Sequence, residues 1–473
     1  MEQLRQLFAR WAGEPCTECL ALGANGSNRR YYRMLGPTHR CIGTIASDVR
    51  ENEAFFAYTR HFFDKGVSVP ELYAIDDDRR HYIQQDLGDQ TLYGLLYQKK
   101  QQGGGFDTEM LTLYKSVLTD LAFIQKAGSD IDFSIAYPRA AFDSRSIHWD
   151  FNYFKYFFLR LNHVDFDEDQ LENDFDTLTD YLLTADCKHF LYRDFQGRNI
   201  MLKDQKLYYI DYQGGRRGAA QYDVASLLYS AKSDIPEVVR NELLTHYLDV
   251  RNIKGTARHQ WIDLFHAYVL SRIIQTLGAY GYRGLYERKP YFLESIPLAT
   301  ANLRRLAENH PLPIQLPELN RIIHHLASNT NFQPPASNLD TLTVTIQSFS
   351  YKQGLPSDNS GNGGGYIFDC RALPNPGRYP EYKCYTGKDR PVIEFMQRES
   401  AVDEFLEHVQ AIVEQSVEKY NERHFTHLSV AFGCTGGQHR SVYCTERLAA
   451  WLRNNHPEVN VVTLHREQAG NNP

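Results

Sequence analysis

Apolar and polar positions alternate along residues 342–350, LTVTIQSFS: Leu342, Val344 and Ile346 face one way, Thr343, Thr345 and Gln347 the other. A period of two belongs to a half-buried strand, so the spacing predicts a strand that opens a domain. Upstream the period changes. In LYKSVLTDLAFIQKAG, Leu113, Val117, Leu121 and Ile124 share a helical face and Gly128 offers a stop. Patterns of this kind recur through 106–310 and make that region mostly α. Residues 15–88 mix short apolar runs, glycines and the turn pair Asp77-Asp78, which predicts a small twisted sheet with one helix near 51–63. The stretch 428–452, LSVAFGCTGGQHRSVYCTERLAAWL, reads as strand, glycine loop and helix, with Val442, Leu448 and Leu452 able to face a core.

Two segments break these patterns. Residues 309–338 hold five prolines and end in a polar run without periodicity, which reads as a linker. SDNSGNGGGY (357–366) reads as a flexible loop. At 473 residues the chain has room for about two to four compact units. The expected division is 1–88 and 89–310 as two lobes of one domain, 311–338 as a Pro-rich linker, 339–467 as a second domain and 468–473 as a tail.

Charge and cysteine usage narrow the function classes. With 51 Lys plus Arg against 58 Asp plus Glu, the net charge of −7 lacks the basic footprint of a duplex-DNA binder. The opening MEQLRQLFAR is already charged and no later run is long and apolar enough for a span, so neither a signal peptide nor a membrane segment is expected and the cytoplasm is the expected compartment. Eight scattered cysteines fit reduced thiols. Cys16 and Cys19 form a CxxC with no second pair at zinc spacing.

Chemistry concentrates in two places. The first, residues 190–214, is FLYRDFQGRNIMLKDQKLYYIDYQGG. Arg193-Asp194 is followed five residues later by Asn199, then by an apolar strand that delivers Asp211 ahead of glycines. Phosphoryl transfer from ATP needs a carboxylate to orient and deprotonate the attacking hydroxyl and two oxygen ligands for Mg²⁺. Asp194 fits the first role, Asn199 and Asp211 the second. The alternative for either aspartate alone is a turn cap or strand end.

This pattern resembles the aminoglycoside phosphotransferase and protein-kinase-like superfamily. LYRDFQGRNIM, IDYQGG and QYDVASLLY (221–229), with LGANGSNRRYYRM (22–34) and QQDLGD (84–89), are most similar to bacterial cell-wall amino-sugar kinases of the AmgK type. The resemblance covers about 1–310. It implies an α+β bilobed fold with ATP between the lobes, an N-acetylmuramate- or N-acetylglucosamine-like acceptor, and Asp223 as a structural support of the catalytic loop. It also implies a phosphate loop at 23–30 with Gly26, Ser27, Asn28 and Arg30, Glu53 as the small-lobe helix glutamate, and 85–89, with Asp86 and Leu87, as the adenine-side hinge. Two departures stand out: Tyr192 replaces the histidine before Arg-Asp, and no lysine occurs in 1–64, so Arg29 or Arg30 must serve as the phosphate cation or the domain is a pseudokinase. For the acceptor, Trp149, Asp150 and Tyr153 precede an aromatic helix, and Asp150 is the candidate substrate residue.

The second place is the loop GCTGGQHRS (433–441). A glycine loop at a helix N-terminus presents free N–H groups to an anion. Cys434 and Arg440 also stand in the C-x5-R-S spacing of cysteine phosphatases, with a thiolate nucleophile. QSFSYKQGLP, FDCRALPNP, TGKDRPV and GCTGGQHRSVY together resemble the C-terminal domain of the RNase adapter RapZ, over about 342–465. That resemblance implies an α/β domain binding a phosphorylated amino sugar through Thr435, Gly436, Gly437, His439 and Arg440, with Lys352, Asp369, Arg371 and Asn375 near the pocket. It also implies RNA as a partner, yet residues 339–473 carry 13 Lys plus Arg against 16 Asp plus Glu, which leaves little counterion release to drive RNA binding. The joint expectation is an ATP- and Mg²⁺-dependent amino-sugar kinase fused to a phosphosugar-binding regulatory domain, the alternative being a non-catalytic adapter.

Overall fold

The computed structural model describes residues 1–23, 29–287, 289–329, 342–356, 365–423 and 425–468. The chain divides into two compact units, Met1–Tyr282 with Ser295–Gln333, and Arg283–Glu294 with Pro334–Pro473. Residues 283–294, expected in the large lobe, group with the second unit. There the helix that ends at Tyr280 widens into a π-helical turn over Gly281–Tyr286, and the stretch folds on itself, Gly284 lying against Leu293 and Glu287 pairing with Arg283 and Lys289. Among the described residues no helix is long and apolar enough to cross a membrane.

The first unit begins with α1 (Glu2–Ala12) and an antiparallel sheet of β1 (Glu18–Ala21), β2 (Arg30–Leu35), β3 (Arg40–Ile45), β4 (Leu72–Ile75) and β5 (His81–Gln84), in the order β1-β2-β3-β5-β4. Leu4, Leu7 and Phe8 of α1 are buried with Met34, Cys41 and Ile83 of the sheet. Each such side chain contributes about 1.5–3 kcal/mol. The expected helix near 51–63 is α2 (Val49–Asp64), started by Asp48, whose carboxylate accepts the N–H groups of Arg50 (3.0 Å) and Glu51 (3.3 Å).

The rest of this unit is helical, as the periodicity predicts: α3 (Leu92–Gln101), α4 (Thr108–Ala127), α5 (Ser144–Phe154), α6 (Glu168–Leu182), α7 (Gln221–Leu228), α8 (Glu237–Val250) and α9 (Gly255–Tyr280). Then come α10 (Pro290–Leu293), which belongs to the other unit, α11 (Ser295–Asn309) and α12 (Pro317–Ser328). Val117, Leu121 and Ile124 of α4 are buried. Gly128 ends α4 for want of space: a Cβ there would stand 2.5 Å from that of Phe190. Two short antiparallel pairs, β6 (His189–Leu191) with β9 (Arg216–Gly218) and β7 (Ile200–Lys203) with β8 (Lys206–Tyr209), carry the first motif.

The Pro-rich linker needs correction. Within it, α12 buries Leu319, Ile322, Ile323 and Leu326 and packs on α6, where the Asp174 carboxylate accepts the Leu319 N–H (2.7 Å). Pro317 sits in the first helical turn, where its missing N–H does no harm, so one of the five prolines that suggested a linker starts a helix instead. Residues 330–341 lie outside the described residues.

In the second unit β10 (Thr343–Ser350), β11 (Gly365–Asp369), β12 (His427–Cys434) and β13 (Asn460–His465) form a parallel sheet in the order β11-β12-β10-β13. Helices α13 (Arg390–Gln397), α14 (Ser400–Glu422) and α15 (Arg440–Asn455) complete it. Leu342, Val344 and Ile346 join Val442, Leu448 and Leu452 among its buried residues, as the alternation and the helix pattern predict. Residues 357–364 of the glycine-rich run lie outside the described residues, while Gly365 and Tyr366 open β11. Being parallel, all four strands end at one edge, the edge where sheets of this kind hold ligands.

Candidate functional site

A hairpin assembles the first site. Asp204 and Gln205, at φ 50° and 59°, make the two-residue turn that strand twist favours. From it β7 and β8 pair back from Lys203↔Lys206 to Ile200↔Tyr209. One step further the Ile210 N–H donates to the Asn199 carbonyl (3.1 Å). Asn199 and Asp211 therefore share one end of the hairpin, and the Asn199 amide nitrogen donates to the Asp194 carbonyl (2.9 Å) and to Asp211 Oδ2 (3.2 Å).

Buried groups behind the motif hold it there. The Asp223 carboxylate accepts the N–H groups of Tyr192 (2.8 Å) and Arg193 (3.0 Å), and burial pushes its carboxyl up to about 7 against the pull of those two donors. The Tyr192 hydroxyl donates to the Ile210 carbonyl (2.5 Å), so the residue in the place of the histidine ties the Asp194 loop to the Asp211 loop. Arg193 and Asp211 both lie in the left-handed region, at φ 82° and 70°. Such residues cost about 1–3 kcal/mol each and persist only where their surroundings over-determine them.

The electrostatics suit a divalent cation. Burial raises the Asp211 pKa, the charge of Asp194 raises it further, and the Gln213 amide (2.6 Å), Arg198 and Arg29 act against both. With its nitrogen engaged, Asn199 has its amide oxygen left for a ligand. The Asp211 carboxylate and the Asn199 amide oxygen, with the charge of Asp194 beside them, are hard oxygen donors of the kind Mg²⁺ takes.

A cation stands nearby. The Arg29 side chain, 3% exposed, donates to the Tyr82 hydroxyl (2.7 Å) and lies 3.5 Å from Glu51 of α2. A buried arginine just ahead of β2 thus pairs with a glutamate of the small-lobe helix.

In the second unit the loop after β12 lies at the shared strand edge. Thr435 and Gly436 are exposed, and the Thr435 carbonyl accepts from Ser350 Oγ (2.8 Å) at the end of β10. Cys434 Sγ receives the Gly437 N–H (3.2 Å) and lies 3.1 Å from Ser441 Oγ. Gly437 has φ 70°, and a Cβ on it would come within 2.5 Å of the Glu467 carboxylate. Gly437→Ala is therefore expected to destabilise this unit by about 1–2 kcal/mol; an unchanged thermal melting curve would show that the loop relaxes freely.

Residues 18–262, just over half of the sequence, match the profile of the phosphotransferase enzyme family. The chain belongs to that family. The chain also matches the RapZ C-terminal domain over 342–469. It is similar to a nucleotide-binding protein of Thioalkalivibrio sulfidiphilus, 33% identical over 175 residues that cover 37% of this chain and 58% of that one. It is also similar to one of Delftia acidovorans, 41% identical over 114 residues, 24% of this chain and 36% of that one. The chain thus spans under two thirds of these relatives' lengths. Among solved structures, an ethanolamine kinase of Plasmodium vivax aligns with 61% of this chain and 82% of its own at TM-score 0.44 and 12% identity. A choline kinase of Cryptosporidium parvum aligns with 65% and 93% at TM-score 0.44 and 12% identity.

In the phosphotransferase unit, Asp194, Asn199 and Asp211 come together, whereas several other expected residues do not join them. Gly26, Ser27 and Asn28 lie outside the described residues. Arg30 is exposed on β2, so the inward cation is Arg29. Glu53 pairs with Arg79 (2.5 and 2.6 Å), because two positions along a helix point it away from Glu51's face. The buried Asp86 carboxylate accepts from Arg33 (2.9 and 3.2 Å) and the Gly88 N–H (2.9 Å), so it shapes the hinge next to buried Leu87. Asp150 Oδ1 accepts from Arg193 (2.6 Å), so the expected substrate carboxylate sits against the side chain that precedes Asp194 and balances its charge.

In the RapZ-like unit Arg440 is buried and donates to the carbonyls of Arg371 (2.8 Å) and Leu373 (3.0 Å). Through Nη1 it braces the turn after β11, while the Cys434 thiol of the C-x5-R spacing is buried. His439 Nε2 donates to the Tyr382 carbonyl (3.0 Å). Arg371 holds Asp369 and lies over the Tyr351 ring at 3.9 Å, while the Lys352 side chain is exposed. Two cations on Asp194 were not foreseen: Arg198 (3.5 Å), whose signal was its i,i+4 spacing, and Arg272 (3.3 Å) of α9, 78 residues away with no local signal.

Proposed function

We propose that the first unit transfers the γ-phosphoryl group of ATP to a hydroxyl of a small amino sugar of the N-acetylmuramate or N-acetylglucosamine kind. The observation that carries this reading is the single hydrogen-bonded cluster in which Asn199 joins the Asp194 loop to Asp211. Asp194 Oδ2 would accept the proton of the acceptor hydroxyl as it attacks. Asp211 and the Asn199 amide oxygen would hold magnesium. When bound, that ion neutralises charge on the transferring phosphoryl group. Arg29, fixed by Tyr82 and Glu51, is suited to the nucleotide phosphates, which weakens the adapter reading based on the missing lysine.

The second unit, in this reading, binds a phosphorylated amino sugar at the carboxyl edge of its sheet. Backbone N–H groups at the start of α15 and the Thr435 hydroxyl would serve as donors in the place expected of Arg440. The test is direct. Full-length protein is incubated with ATP, Mg²⁺ and a panel of acetylated amino sugars, aminoglycosides and choline, and phosphorus NMR follows the products. The expected result is one phosphorylated class, from the amino-sugar arm, that disappears when EDTA is present. Absence of product in every arm, with no ATP-dependent thermal stabilisation, overturns the kinase reading.

A further inference from the structure

We infer that Arg272 is a positioning residue that locks the Asp194 carboxylate in its reactive orientation. This rests on the kinase reading above and adds to it a part that acts from outside the catalytic motif. Arg272 lies on α9 with its side chain 14% exposed. Its Nε donates to Ser226 Oγ of α7 (3.1 Å), its Nη1 to Thr276 Oγ1 (2.9 Å) and to Gln275 Oε1, and its Nη2 to Asp194 Oδ1 (3.3 Å). The guanidinium carbon also stands 5.9 Å from the Tyr222 ring centroid. All three nitrogens are engaged, so two packed helices fix the plane of the fork.

The two Asp194 oxygens are thereby made unequal. Oδ1 takes Arg272 and the Gln196 amide (2.5 Å), whereas among the described residues Oδ2 meets Arg198 at 3.5 Å, a side chain 44% exposed. Gln196 belongs to the same loop as Asp194 and moves with it. Arg272 does not, and so provides the anchor that ties the carboxylate to the large-lobe core. The side chain needs one, because Asp223 and Tyr192 hold only the backbone of the loop. Oδ1 is the anchored atom and Oδ2 the one presented to an acceptor hydroxyl. A misplacement of about 1 Å in such a group lowers rate about 10²-fold.

The experiment uses full-length protein and the acceptor found in the panel. Wild type, Arg272→Ala, Arg272→Lys and Ser226→Ala are compared for kcat, for KM of ATP and acceptor, and for thermal stabilisation by Mg-ATP. The expected result for Arg272→Ala is a kcat lower by about 10–100-fold, with KM for ATP and nucleotide stabilisation unchanged. Arg272→Lys recovers part of the loss, because an ammonium reaches Oδ1 without the second hold on Ser226. Ser226→Ala, which loosens the fork and keeps its charge, falls between.

A kcat for Arg272→Ala within about twofold of wild type overturns the inference, as does a loss that tracks the disappearance of nucleotide stabilisation. If Arg272→Ala does not fold, unchanged kcat in both milder variants overturns it. An active wild type with active Arg272 variants sinks only the positioning role. A wild type that transfers phosphate to nothing removes the kinase reading and this role together.

Discussion

Asp194→Ala is expected to lower phosphoryl transfer about 10²–10⁴-fold while leaving Mg-ATP binding in place, because the side chain acts on the acceptor hydroxyl and not on the nucleotide. The neighbourhood makes this a clean substitution. Asp194 gives the metal cluster only its backbone carbonyl, which accepts from Asn199 at 2.9 Å and survives the change to alanine. The loop is held independently by Asp223 on the N–H groups of Tyr192 and Arg193 and by the Tyr192 hydroxyl on the Ile210 carbonyl. Arg272 and Arg198 lose a partner, but both retain contacts elsewhere. The variant should therefore melt near the wild-type temperature and still be stabilised by Mg-ATP. Steady-state rates with the acceptor, beside thermal shift with nucleotide, check both halves. Retention of more than about a tenth of the rate would mean that Asp194 is not the base.

What was legible in the sequence is what local rules determine. Asp194, Asn199 and Asp211 could be placed together because a two-residue turn and a short strand pair fix their relation within 18 residues of chain. The alternation of 342–350 and the strand, glycine loop and helix of 428–452 were legible for the same reason. What failed was governed by partners far along the chain. Asp150 looked like a sugar ligand until Arg193, 43 residues on, occupied it. Arg440 looked like a phosphate clamp until it turned to carbonyls 67 and 69 residues back. Glu53 failed through helical phase, since the register of α2 against the sheet, which puts Glu51 and not Glu53 toward Arg29, is set by tertiary packing. The helix at 317–328 was hidden because prolines that mark a break also mark a helix start.

That helical phase leads to the second large effect. A nucleotide triphosphate brings several negative charges into a cleft that already holds Asp194 and Asp211, and the kinase-like pattern normally answers with a lysine that this small lobe lacks. Arg29 is the described small-lobe cation that is both buried and electrostatically coupled to Asp211. In a desolvated site a fixed guanidinium grips phosphate oxygens with two donors, and no ordering has to occur at the moment of reaction. Arg29→Ala is accordingly expected to lower kcat/KM for ATP by about 10²-fold or more, with Arg29→Lys recovering part. Glu51→Ala should act in the same direction and less strongly, since it leaves the cation but removes its carboxylate partner. Glu53→Ala breaks only a partly exposed pair with Arg79 and should change stability by under about 1 kcal/mol and activity little. Arg30→Ala, on the exposed side of β2, should change neither. Steady-state kinetics in ATP across these five variants separates the possibilities: if Arg30 or Glu53 proves the sensitive position and Arg29 and Glu51 prove silent, the cation that meets the phosphates enters from the other face of the strand.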